Sequence, residues 1–258
     1  MTELNETIGI LLDVYAYNHA YHIASKTPNI SKDAQFLIAL LKERRELNLD
    51  FLYSHQADVK RIEETYQFPL VMNSDMVDEQ LANYILDLEV KVKNGEIIDF
   101  VRSVSPILYR LFLRLVTFQI PDFASYIIDT KNDDYDTWNF DAMYQAHLPI
   151  FDLYLAKRQN RNITSRSLTD IIQLSNLPDD IKETVEGLRK FEKSVRNPLA
   201  HLIKPFDEEE LYRTTRFSSQ TFLDNIIDLA TYAGVNYQRT PFYFDRLNAI
   251  IEEQLDIK

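Results

Sequence analysis

Four glycines in a chain of 258 residues leave few positions free to take left-handed backbone, on which tight hairpins and phosphate-cradling loops depend. Long stretches rich in Leu, Ile, Lys and Glu fill the chain instead, with few turns of the Asn-Gly kind. The fold class expected is therefore all-α, a helical bundle. The length supports one large domain or two small ones. Two unequal, packed units are expected: a helical unit over residues 1–75 and a larger one over 76–258. The soft boundary is placed where Pro69, Asn73 and Ser74 break the helical pattern.

Composition removes several function classes. With no cysteine there can be no disulfide, thiolate metal site or cysteine nucleophile, which fits a reducing cytoplasm. The segment Met1 to Thr7 is polar and acidic, unlike a signal peptide, so a cytoplasmic location is expected. The most apolar stretch, Ser105 to Ile120, is interrupted by Arg110 and Arg114 and falls short of the roughly 20 residues of a bilayer span. No membrane partner is expected. A net charge of -12 opposes indiscriminate binding to nucleic acid, so any RNA contact has to be a local basic patch on an acidic body.

Apolar spacing sets out the elements. Ile8, Leu11, Leu12, Tyr15 and Ile23, then Ala34, Leu37, Ile38 and Leu41, predict an antiparallel helix pair over 7–47, broken at Pro28 and Asn29. The pattern loosens from Asp58 to Asp75. Helices are expected from Met76 to Lys93 and from Gly95 to Phe118, the second with Ile97, Phe100, Val101, Val104, Ile107, Leu108, Leu111 and Phe112 inward and Pro106 as a point of kinking. Asp133 to Trp138 reads as a loop and Leu148 to Ala156 as a short helix. Ser167 with Asp170 resembles a capping box opening the next helix. Pro178 suits the first turn of a helix whose face Ile181, Val185, Leu188, Phe191 and Val195 line. Ser218 or Ser219 caps a further helix that Gly234 ends, and Pro241 precedes a last amphipathic helix, Phe242 to Leu255.

The segment with most chemical content is Arg196-Asn197-Pro198-Leu199-Ala200-His201. Asn is a strong N-cap residue and Pro suits the first helical position, which predicts Arg196 just outside a helix and His201 in its first turn. Unpaired N–H groups at such a terminus attract a phosphate, and an adjacent Arg adds bidentate contacts. Beside that positive end His201 is expected to favour its neutral form, able to accept a proton from a ribose 2′-hydroxyl without a metal. One His supplies one proton-transfer group, whereas cleavage also benefits from an acid for the leaving oxygen. A two-fold homodimer, in which the same patch meets itself, is the economical source of the second. The products would be a 2′,3′-cyclic phosphate and a 5′-hydroxyl, and DNA would not be cut. By spacing alone, an Arg five residues before a His and an Asn-Pro cap also suit an ordinary helix start.

The same six residues resemble the Arg-Asn-x-x-x-His signature of HEPN ribonucleases. The ending Phe242-Tyr243-Phe244-Asp245-Arg246-Leu247-Asn248, the start Asn94-Gly95-Glu96-Ile97-Ile98-Asp99-Phe100 and the early run Leu12-Asp13-Val14-Tyr15-Ala16-Tyr17 are similar to the ancillary ribonucleases of type III-A CRISPR systems. The resemblance covers nearly the whole chain, with one sharp motif. It implies an all-helical HEPN domain at 76–258 behind a small helical domain, a homodimer with its active site at the interface, and metal-independent degradation of single-stranded RNA in antiviral defence. Arg196 and His201 inherit catalytic roles and Asn197 a supporting one. No cofactor and no metal are implied. That family is activated by cyclic oligoadenylate through an N-terminal Rossmann-like CARF sensor. Nothing within residues 1–60 reads as alternating strands and helices, so the sensor is expected to be missing from this chain, whether it is a piece of a longer protein or a naturally short one. The rival readings are a stand-alone HEPN toxin ribonuclease and a non-catalytic helical dimer that binds RNA or nucleotide.

Other residues have blander readings beside the chemical ones. His19 and His22, spaced i, i+3, share a helix face and could hold a metal, but no third ligand is near in sequence and the surrounding Tyr15, Tyr17 and Tyr21 favour packing. His55 and His147 read as structural. Arg110 and Arg114 read as a solvated or ion-paired face. Lys157, Arg158, Arg161 and Arg166 form an electropositive loop, either solvated or guiding RNA through phosphate contacts. Asp207 to Glu210 reads as a helix start favourable for its dipole.

Overall fold

A computed structural model describes residues 3–128, 136–157, 160–196, 199 and 205–257, with Arg196 described by its backbone alone. By internal contact the chain forms two compact units, one made of Met1–Asn94 with Gly234–Lys258 and the other of Gly95–Ala233. The sequence division at residue 75 lies ahead of the helix Met76–Lys93, whereas the compact division lies at Asn94 and returns the last helix to the first unit.

The first unit contains α1 (Glu3–Asp13), α2 (Tyr17–Ala24), α3 (Lys32–Arg45), α4 (Asp50–Ser54), α5 (Gln56–Tyr66) and α6 (Met76–Lys93). The expected helix pair over 7–47 is in fact three helices. Tyr15 takes a left-handed φ of 55° and ends α1. Its hydroxyl donates to Asp245 at 2.6 Å and its ring meets Tyr17 and Phe242 edge-on, so side-chain packing holds a turn that no Gly or Asn announces. The helix α5 lies where the apolar pattern loosens; only Val59 and Ile62 of its residues are buried, too few for a clear stripe. In contrast, α6 begins and ends where its sequence predicts. Asp75 caps it by accepting from the N–H groups of Val77 and Asp78, and Lys91 and Lys93 stand in its last turn.

A charged cluster lies within this unit. Arg44 and Glu79, both wholly buried, form an ion pair; Arg44 also donates to Asn83 at 2.9 Å and to the carbonyl of Leu70. Glu79 accepts from the backbone N–H groups of Met72 and Asn73. Tyr243 of the last helix lies with its ring 4.7 Å from the Arg44 guanidinium and donates to the Leu70 carbonyl.

The second unit is organised on α7 (Ile97–Gln119). All eight apolar positions expected to face inward are buried, and Pro106 lies exposed inside the helix. Beyond it come β1 (Ile127–Ile128) and β2 (Thr137–Trp138), α8 (Phe140–Ala146), α9 (Pro149–Leu155), α10 (Ser165–Leu174), α11 (Asp179–Phe191), α12 (Glu208–Thr215) and α13 (Ser219–Tyr232). The last helix of the chain, α14 (Tyr243–Gln254), belongs to the first unit.

Part of the acidic, aromatic segment Asp133 to Trp138, expected to be a loop, is a strand: Thr137 and Trp138 pair antiparallel with Ile128 and Ile127. Burial of the Trp138 ring against Phe123 and Tyr154, and its backbone N–H bond to the Arg161 carbonyl at 2.8 Å, fix that short ladder. The helix α10 also starts earlier than its sequence suggests. Thr164 is its cap, accepting from the N–H of Ser167, while Ser167 Oγ accepts from the N–H of Thr164. Ser167 thus plays the reciprocal part of the box that the spacing gives to Asp170.

Candidate active site

The helix α11 leads the chain to the motif. Pro178 precedes it, Asp179 and Asp180 occupy its first turn, and Val185, Leu188 and Phe191 are buried along one face. Phe191 stacks on Phe222 of α13 with ring centres 3.9 Å apart. The α-helical pattern then gives way to a π-helical turn, Glu192–Arg196. Such a turn holds one extra residue, shifts the phase of the residues after it and recurs at functional sites. The backbone of Arg196 thus belongs to a π-helical turn that continues from α11.

Two buried anchors hold this turn and its successor, Val195 and Leu199, each 2% exposed. Leu199 is helical, and its carbonyl receives a long contact of 3.5 Å from Arg102 Nη2 on α7. Asn197 and His201 lie outside the described residues, as do Pro198 and Ala200, so the expected cap and the Arg196–His201 pairing carry no geometry here.

Two hollows flank the turn. One, of about 430 Å³, is lined by Phe191, Phe217 and Phe222 together with Glu183, Lys190 and Ser194. The other, of about 510 Å³, lies among α7, α10 and α11, with the charged side chains of Arg110, Arg166, Arg189 and Glu192 beside Pro106, Tyr109 and Ile163 on its walls. Glu192 is 7% exposed. It accepts from Arg189 at 3.2 Å and from the Ser165 hydroxyl at 3.4 Å. Tyr109, also on this wall, has its phenol pushed above the ordinary value by burial and by the charge of Asp136, with Arg110 opposing.

Residues noted separately in the sequence thus come together selectively. Arg110 and Arg166 share the second hollow, whereas Arg114 lies over the Phe118 ring at 5.5 Å. Lys157 and Arg161 are exposed, and Arg158 lies outside the described residues. Sequence reasoning missed Arg102 and Arg189. A signal for the first was present: residues 102, 106, 110 and 114 recur every four positions on one helix face.

His19 and His22 are exposed on α2, with His22 Nε2 3.3 Å from Lys26 Nζ. Among the described residues no group of three or more His, Asp or Glu side chains could hold a metal ion. His55 stacks on Phe51 at 4.2 Å and its Nδ1 lies 2.9 Å from the Phe51 carbonyl, and His147 ends α8 in a left-handed conformation. Asp207 caps α12 by accepting from the Glu210 N–H at 2.9 Å. No helix among the described residues is long and apolar enough to cross a membrane.

A predominantly helical body in which a π turn carries the Arg of Arg-Asn-x-x-x-His defines the chain as a protein of HEPN class. Among solved structures it is similar to Csm6 of Enterococcus italicus, bound there to cyclic hexa-2'-fluoro-hexa-dAMP. That likeness has a TM-score of 0.70 at 15% identity, over 97% of this chain and 57% of that one, and it shows the shared fold. No curated protein matches. The sequence matches the description Cas_Csm6 HEPN domain over residues 70–252, and the chain belongs to that family. It spans little more than half, 57%, of the length of the solved Csm6.

Proposed function

We propose that this protein is an endoribonuclease of type III CRISPR antiviral defence, cleaving single-stranded RNA without a metal at a composite site between two copies of the chain. The observation that carries the reading is that residues 70–252, matched to the Csm6 HEPN family, contain Arg196-Asn197-x-x-x-His201, with Arg196 in a π turn beside the buried Val195.

In this reading Arg196 holds the scissile phosphate and Asn197 supports the helix start beside it. His201 accepts the proton of the ribose 2′-hydroxyl as its oxygen attacks phosphorus. The P–O5′ bond breaks, and the departing oxygen takes a proton from the His201 of the second copy. A 2′,3′-cyclic phosphate and a 5′-hydroxyl result, with atoms and charge balanced and no cofactor consumed. In this reading a helical linker domain over residues 1–75 precedes a HEPN domain over 76–258. Since the solved Csm6 is bound to a cyclic oligoadenylate analogue, regulation by such a ligand is proposed to act through a sensor domain outside these 258 residues.

The test incubates the wild type and a His201→Ala variant with end-labelled single-stranded RNA in EDTA, reading both strand length and the chemistry of the new ends. Cutting by the wild type alone is expected, with a loss of at least about 10²-fold in the variant and cyclic phosphate ends. Equal cutting by both proteins, or RNA retained at full length by a wild type that still binds it, would overturn the catalytic reading in favour of a binding module.

A further inference from the structure

We propose that the hollow among α7, α10 and α11 is a phosphodiester-binding subsite that grips the RNA strand beside the point of cleavage. The inference rests on the ribonuclease reading and adds to it a second place of contact, built from residues outside the Arg-Asn-x-x-x-His motif.

Three guanidinium groups, one from each helix, face a space of about 510 Å³: Arg110, Arg166 and Arg189. The only carboxylate on its wall among the described residues is Glu192, already engaged by Arg189 and Ser165. Arg110 and Arg166 are exposed and have no carboxylate partner among the described residues. The hollow thus carries an excess of two positive charges on a chain whose net charge is -12. A local concave surplus of this kind selects an anion where the body as a whole repels one. The ligand needs hydrogen-bond acceptors, because the wall offers donors, the guanidinium forks of Arg110 and Arg166. Ser105 Oγ on the α7 wall and Arg189 Nε have no hydrogen-bond partner among the described residues.

A diester in a polymer fits better than a free anion for two reasons. The volume exceeds what one phosphate fills, and Tyr109 and Pro106 add an apolar side suited to a sugar or base. Glu192 on the wall and Arg196 are the two ends of one π turn, so the hollow lies within about 6 Å of the motif along the helix axis.

The experiment measures binding of a fluorescent 12-nucleotide RNA, fully 2′-O-methylated so that it cannot be cut, to the wild type and to Arg110→Ala, Arg166→Ala and the double variant over a range of salt. A loss of about tenfold in affinity at low salt is expected for each single change, with the slope of log K against log salt falling by about 0.7 for every phosphate contact removed. Arg161→Ala, an exposed cation outside the hollow, is expected to bind as the wild type does. Since Arg110 and Arg166 are exposed, their replacement should leave the thermal midpoint in place; Arg166→Lys, which keeps the charge and loses the fork, should fall between wild type and Ala. If the hollow variants match the wild type in affinity and slope while the wild type cuts ordinary RNA, the subsite is wrong and the ribonuclease reading survives. A wild type that neither binds the methylated strand nor cuts an unmodified one sinks both.

Discussion

Two arginine–glutamate pairs, one in each unit, differ in a way that separates structure from function. Arg44 and Glu79 are wholly buried, and between them they engage Asn83, the Leu70 carbonyl and two backbone N–H groups. Arg189 and Glu192 keep side-chain exposures of 18% and 9% and face an open hollow with two further cations on its wall. In both arginines Nε lacks a hydrogen-bond partner among the described residues, so an orphan nitrogen by itself distinguishes nothing. The distinction lies in how many acceptors surround the terminal nitrogens and whether solvent or ligand can reach them. A saturated pair has no capacity left for a guest; an open pair does.

The comparison breaks most readily at Glu79. Glu79→Ala leaves a guanidinium charge inside the first unit and strips two N–H groups of their acceptor, so urea unfolding should show a loss of about 3–5 kcal/mol. Glu192→Gln keeps the shape of its site and leaves Arg189 free to be hydrated from the hollow, so the expected cost is smaller, about 1–2 kcal/mol. The same variant should bind the methylated RNA several-fold more tightly, since a carboxylate has left the phosphate subsite. Equal destabilisation by the two changes would erase the contrast.

The smallest effect concerns Glu89, a half-buried acid of the first unit. Burial raises the carboxyl of Glu89 above its ordinary value, against a lowering by the Tyr237 hydroxyl that donates to it at 2.7 Å. A carboxyl that binds its proton more tightly when folded contributes stability in full below the unfolded value, about 4.3, and loses it as pH rises through the folded one. Glu89→Gln, which still accepts from Tyr237, should therefore gain on the wild type as pH rises from the unfolded value through the raised folded one. Urea midpoints at several pH values read that slope directly; parallel curves would show that Glu89 is not strained by burial.

Long, strongly amphipathic segments are legible in the sequence. The bounds of α6 and the inward face of α7 follow from spacing, because a wide apolar stripe leaves one solution. Tyr15 shows what spacing omits: its turn is held by Asp245, Tyr17 and Phe242, partners that only the folded chain brings near. Trp138 reads as part of a loop because a two-residue strand has no period to detect. At the site, the motif itself is plain in the sequence. The π turn is not, since an unbroken α repeat gives no sign of the extra residue ahead of Arg196. Nor can spacing unite Arg110, Arg166 and Arg189, which come from three helices and meet only through tertiary packing.

The return of α14 to the first unit orders events on the ribosome. Its partners α1 and α3 emerge early, yet Tyr243, Asn248 and Phe244, which close over Arg44, Tyr17 and Tyr15, are made only after the whole of residues 95–233. At about 5–20 residues per second that interval is roughly seven to thirty seconds. Throughout it the second unit can settle on α7, while the unit ahead of it in the chain still waits for its final helix.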